Sequence, residues 1–245
     1  PLEYDELQTF TKGLSIAKKG DVYGVINIKN KTIVPFEYDK IKDFSYGLAA
    51  VSKQFEWGFV NTKGEIIIPI EYQRVHSFSN VYADTKQSYL IAARVRKNGV
   101  WGMIAQDHKV LIPFDYRKIG VFREGRSVAQ KKNYYGVITP EAKTLIPFQY
   151  FNMESFEYGL AFAYDSKNWG AINYDGKVVI PFIYSEILSF RYGLANVSKD
   201  IEDSEYEIER IYLRYATYGF INKNGAIVIP VEYDDASNFY RGLVR

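Results

Sequence analysis

The chain has 245 residues, 47% of them hydrophobic and 24% charged, a composition that folds around a core and excludes a disordered chain. A formal net charge of +2 gives no bulk attraction for nucleic acid, and the absence of cysteine excludes disulfides and thiolate sites. No apolar run approaches the roughly 18 residues that would suggest a membrane span, while aromatic content is high at 17%, with 22 Tyr and 16 Phe.

In chain order, the sequence enters partway through a pattern, with Tyr4, Phe10 and Gly13 in fixed register. An aromatic-glycine pair follows at Tyr23-Gly24, then Pro35 twelve residues after the aromatic, Tyr38 three after the proline, Phe44 six later and Gly47 three later. The pair returns at Trp57-Gly58, Trp101-Gly102, Tyr135-Gly136, Trp169-Gly170 and Tyr218-Gly219, each with its proline and tyrosine at the same distances. The uninterrupted period is 34 residues, and the chain leaves mid-unit after Gly242. Six hairpins flanked by seven tyrosine-to-glycine segments result.

Each position has a physical reading. The run Gly-Leu-Ala-x-Val, as at Gly193 to Val197, is a short opening strand. Trp57 to Asn61 alternates in the manner of a middle strand, and the glycine beside the aromatic lets a neighbouring ring or backbone approach closely. Seven residues after the aromatic lie Asn30, Gly64, His108, Ala142, Gly176 and Gly225, where a turn with positive φ is expected. Ala142 is the misfit and predicts a different turn after Pro140. An Ile/Val-rich closing strand follows, which proline is expected to end because it cannot donate to the ladder. The segment from Tyr38 to Phe44 reads as a crossover or short 3₁₀ turn, with Tyr38, Ile41 and Phe44 plugging the gap between units. Asp39 and Asp234, after the repeat tyrosine, and Glu37, Glu71 and Glu232, before it, recur as structural acids, with backbone capping as one job for them.

A three-stranded meander cannot bury both its faces, whereas stacked copies bury one another. The expected fold is therefore all-β: a tandem array of three-stranded antiparallel units spanning residues 1–245, open and solenoid-like. A closed six-bladed ring is the alternative. Trp57, Gly58, Trp101, Gly102, Trp169 and Gly170 are read as structural repeat positions, and the repeated aromatics as core. Both ends cut a repeat, so the native protein is expected to continue beyond this chain or to carry caps.

These residues resemble the WG-repeat family, also called KWG repeats. The family pattern is met closely by KNWGAINYDGKVVIPFIY followed by FRYGLANV, and Tyr replaces Trp in three of six units. The resemblance covers essentially the whole chain. It implies a bacterial β-rich recognition or scaffold module, with no catalytic residues to carry over.

The register breaks twice, and breaks are where specific function is sought. Ten extra residues fall between Phe78 and Ile91, and fifteen between Lys199 and Tyr218, the latter extending a hairpin. The first insert and its exit carry Lys86, Arg94 and Arg96; the second carries Asp200, Glu202, Asp203, Glu205 and Glu207. These eight are the candidate partner-binding residues; the competing reading makes them solvated loop charge. The acids of the second insert lack the spacing and glycine of an EF-hand loop.

Two histidines, His76 and His108, sit at different repeat positions and do not make a zinc site. No phosphate or dinucleotide glycine motif is present, so no cofactor and no enzymatic activity are expected. The expected function is a non-catalytic module that binds protein or peptide. A carbohydrate or cell-envelope binding module using exposed aromatics is the alternative. Cytoplasm and bacterial envelope both remain open.

Overall fold

The computed structural model describes residues 3–81, 90–200 and 216–236. Among them every regular element is a β-strand, and six antiparallel sheets follow one another along the chain. Five sheets have four strands and one has five; none closes into a barrel. The second sheet shows the plan: Lys40–Ile41, Leu48–Lys53, Glu56–Asn61 and Ile66–Tyr72, hydrogen-bonded in chain order.

The expected three-stranded unit gains a strand. The segment after the repeat tyrosine, read as a crossover or 3₁₀ turn, forms a two-residue strand instead. Lys40 and Ile41 pair with Ser52 and Val51. Alternation explains it: Lys40 faces solvent and Ile41 is buried, so even this short run has an inside and an outside. The third sheet has two such short strands, Arg74–Val75 and Ser79–Asn80, both paired with Ile91–Lys97. The opening strand thus resumes after the first insert, as the register of Ala92, Ala93 and Val95 requires.

The proline does not end the closing strand. Strand Ile66–Tyr72 runs through Pro69 and shifts register there: Phe59 opposes Ile68, while Trp57 opposes Tyr72. Two residues on the middle strand face four on the closing one, so the proline sits in a bulge where no ladder donor is needed. The bulge explains the aromatic-glycine pair. A Cβ built on Gly58 would lie 2.6 Å from the Ile68 carbonyl oxygen; on Gly102 and Gly170 it would lie 2.8 and 2.7 Å from the carbonyls of Ile112 and Ile180.

The turn before the closing strand is the same in all six sheets. Asn30, Gly64, His108, Ala142, Gly176 and Gly225 all have φ between 58° and 87°. Ala142 was expected to break this pattern and does not: at φ 64° its N–H donates to the Thr139 carbonyl. Thr139 Oγ1 accepts from the amides of Glu141 and Lys143, as Asn61 Oδ1 does from Lys63 and Glu65. A threonine hydroxyl before Pro140 holds the turn that Asn holds elsewhere.

The chain forms two compact units, Pro1–Lys132 with Ile138–Thr144, and Asn133–Val137 with Leu145–Arg245. In the first, Tyr38 and Ile41 are buried and Phe44 packs against their cluster, with Val25 and Val34 of one sheet and Val51 and Val60 of the next. Tyr72, Val75 and Phe78 repeat the arrangement one sheet on, where Phe78 meets Phe59 edge-on at 4.8 Å. In the second unit, Tyr184, Ile187 and Phe190 do the same between Ile180 and Ile221. The plug expected from the sequence therefore lies between sheets.

Candidate partner-binding surface

The repeated rings are mostly spent on packing. Tyr38, Tyr72, Tyr116, Tyr150 and Tyr184 are buried, and Trp57, Trp101 and Trp169 are half-buried. Each tyrosine plane serves the next sheet: Tyr72 stacks on Phe114 and Tyr150 on Phe182. The acids before the tyrosines pair with the lysine that ends the opening strand. Lys53 meets Glu37 at 3.1 Å, Lys97 meets Glu71 at 2.9 Å, and Lys131 pairs with Asp115. Lys97 and Lys131 also lie over the rings of Tyr72 and Tyr116, and Lys199 lies over Tyr184. Asp39 caps the hairpin tip by accepting from the Gln54 amide at 2.7 Å, and Gln73 does so for Gly99. Glu37, Asp39, Glu71 and Asp115 are thus tied to the scaffold.

One junction is more polar. The Tyr72 hydroxyl lies 2.7 Å from His108 Nε2, which is 3.7 Å from the Glu71 carboxylate. Burial, then the Glu71 charge, pushes the Tyr72 phenol up to about 12, while the hydrogen bond from Lys97 holds Glu71 below its ordinary value. His108 was expected as a turn histidine, and it is one.

The predicted partner-binding residues divide. Lys86, Glu202, Asp203, Glu205 and Glu207 lie outside the described residues. Asp200 is exposed and pairs with Ala216, one rung beyond the corresponding Lys53–Glu56 rung of the second sheet, so the second insert does extend its hairpin. Arg94 and Arg96 share strand Ile91–Lys97 of the first unit, whereas Asp200 belongs to the second. Arg96 Nε is buried without a hydrogen-bond acceptor among the described residues.

Arg94 lies in a cleft between the third sheet and the segment that opens the fourth, with His76, Ser77, Ser79, Met103 and Phe122 around it. Its Nη1 donates to the Ile119 carbonyl at 2.8 Å. Lys42 and Asn196 make the corresponding bonds to Val75 and Ala236 at their own junctions, so this one bond is part of the repeat's joinery. The His76 ring sits 5.3 Å from that of Trp101. Desolvation, then the Arg94 and Lys42 cations, pushes His76 down to about 4. The imidazole keeps solvent access on its outer side.

From the sequence His76 is weighed only as a zinc ligand or a surface histidine, and it is exposed. Its neighbour carries a signal: the strand position of Arg94 is filled by Ile16, Ala50, Val128 and Phe162 in four other sheets and by Asn196 in the sixth. Among the described residues no three of His, Asp and Glu gather to hold a metal ion, and no helix is long and apolar enough to cross a membrane.

No curated protein matches the chain. Solved structures do at low similarity. A eukaryotic initiation factor shares 10% identity at TM-score 0.44, covering 91% of this chain and 75% of that one. The WD40 domain of SCAP from fission yeast shares 10% at 0.34, covering 95% and 71%. PorZ, a surface component of the type-IX secretion system of Porphyromonas gingivalis, shares 9% at 0.33; this chain covers 32% of its length, with 89% of its own residues aligned. These scores are too low to carry function across. The family model described as "WG containing repeat" matches residues 1–23, 23–54, 57–88, 101–135, 135–164, 169–200 and 218–245. The seven matches cover most of the chain, in the register the sheets repeat, and the chain belongs to the WG-repeat family.

Proposed function

We propose that the chain is a non-catalytic module that binds a protein or peptide, using the two places where its repeat is interrupted. The observation that carries this reading is the placement of the interruptions. One follows the paired strand Ser79–Asn80 and the other grows from a hairpin tip at Asp200, so each adds chain to a rigid sheet without disturbing its core. The charged residues around them, Lys86, Arg94 and Arg96 for the first and Asp200, Glu202, Asp203, Glu205 and Glu207 for the second, supply complementarity for a partner. Glu37, Glu71 and Asp115 are engaged in ion pairs and Asp39 in a cap, which supports a structural role for these acids.

Cross-linking capture with the full chain tests the reading. Replacing residues 82–89 and 201–215 with tight turns is expected to abolish the captured partners. Capture undiminished in the double replacement overturns it. The glycan alternative finds its exposed rings elsewhere than in the buried repeat tyrosines: Tyr158 and Tyr192, at tight turns, are 69% and 73% exposed. Glycan arrays run on the wild-type chain and on a Tyr158→Ser/Tyr192→Ser variant separate the two readings. Binding lost in that variant supports the glycan reading.

A further inference from the structure

The cleft that holds Arg94 recurs. At the equivalent place in the first sheet, Gln8, Thr9 and Ile16 line a cleft of about 140 Å³ closed by Phe44. In the fifth, Glu154, Ser155, Glu157 and Phe162 line one of about 80 Å³ closed by Phe190. The closing phenylalanine and the opening strand are the scaffold's; the residues four, five and seven places after the repeat tyrosine change from copy to copy. Their chemistry runs from neutral amide and hydroxyl to paired acid, where burial and then the Glu157 charge raise Glu154. The third-sheet copy is the largest at about 240 Å³, and it alone among the three is lined by an arginine.

That arginine is poorly compensated. Among the described residues none that lines its cleft is an acid, and burial lowers the Arg94 pKa. Among the described residues only one of its N–H groups has a protein acceptor, the Ile119 carbonyl. A guanidinium has five N–H donors in a fork that matches a carboxylate. Hydroxyls of Ser77 and Ser79 stand at the same cleft. The neutral His76 ring leaves Arg94 as the cleft's charge. The volume is below the range of roughly 300–1,000 Å³ that suits drug-sized ligands, and fits a single side chain.

We infer that the Arg94 cleft of the third sheet receives one carboxylate of a partner peptide, with the ligand's apolar stem against the exposed Val121 beside Phe122. This deepens the proposed peptide-binding function and rests on it. Two peptide sources share the chemistry, an acidic side chain and a chain terminus.

The test titrates the full chain with N-acetyl-glutamate N-methylamide, its glutamine counterpart, and N-acetyl-alanine as a free-terminus probe, reading Trp101 fluorescence beside His76. A Trp57→Phe/Trp169→Phe background isolates the signal. The glutamate probe is expected to saturate about tenfold more tightly than the glutamine one, and Arg94→Gln to remove that difference. Arg94→Lys keeps the charge and is expected to recover part of it, which a purely structural role would not predict. Tighter binding of N-acetyl-alanine than of the glutamate probe assigns the cleft to a terminus; the reverse assigns it to a side chain. Equal response to glutamate and glutamine probes in a folded protein overturns the inference. If partners are still captured while these titrations fail, the peptide-binding reading stands and the cleft assignment falls. If the glutamate probe binds and no partner is captured, the cleft stands and the wider reading falls.

Discussion

At the scale of single residues, the left-handed turn positions separate two costs that a glycine hides. Gly64 has φ 87°, and a Cβ there would lie 2.0 Å from the Ile33 carbonyl oxygen of the preceding sheet. Gly99 has φ 80° with open space around it. Gly99→Ala is expected to cost about 1–2 kcal/mol of backbone strain alone. Gly64→Ala adds a backbone clash of about 1–3 kcal/mol, read as a lower urea midpoint. Ala142, which already bears this strain at φ 64°, gives the reverse experiment: Ala142→Gly is expected to raise stability by roughly 1 kcal/mol. His76 gives a pH dependence. Its folded pKa is depressed from 6.5 to about 4, so the unfolded chain takes up the proton first. Its contribution is intact above pH 6.5 and is lost as pH falls toward 4. Urea midpoints of the wild type should therefore drop more steeply across that window than those of His76→Gln. At this scale the sequence spoke unevenly. Glycine beside an aromatic announced a close approach because nothing else fits under a carbonyl. Ala142 misled because its turn is held by a hydroxyl three residues away. Arg94 was read as a charge near an insert, since no pattern in one strand shows that a neighbouring sheet encloses it.

At the scale of the element, the hairpin is shaped by its closing strand. Pro69 lies within that strand, and the bulge around it leans the Ile68 carbonyl over Gly58. Alternation and turn chemistry made the middle and closing strands legible. The two-residue strand Lys40–Ile41 and its counterparts were not, because two residues carry no periodicity and their pairing depends on where the long hairpin places its edge. The tyrosine that ends the closing strand joins two sheets by shape and by one polar contact. Tyr72→Phe removes the hydroxyl that meets His108 at 2.7 Å and interacts with Glu71, and is expected to cost about 0.5–1.5 kcal/mol. Tyr72→Ala also empties a fully buried ring site and is expected to cost about 3–5 kcal/mol. Chemical denaturation of the two variants separates the hydroxyl from the ring.

At the scale of the molecule, a closing strand is buried by the sheet that follows it within the same unit. Tyr184 is 1% exposed, whereas Tyr233, at the same position in the sixth sheet, is 49% exposed. Amide hydrogen exchange is therefore expected to be faster across Ile227–Tyr233 than across Val178–Tyr184. Uniform protection would show that a sheet buries its closing strand unaided. Sheets of one shape raise a question of identity, because shape alone does not tell a neighbour from a distant hairpin or from another copy of the chain. The junctions carry the distinction. Tyr4 finds Asn30, itself bound to Glu3; Tyr72 finds His108; Gly64 admits the Ile33 carbonyl and would admit nothing larger. The junctions are keyed in more than one way, so a hairpin docked at some wrong seats leaves a hydroxyl unanswered or a backbone in collision. The varied turn residues thus act as addresses, biasing a chain of look-alike parts against exchanging them with its neighbours.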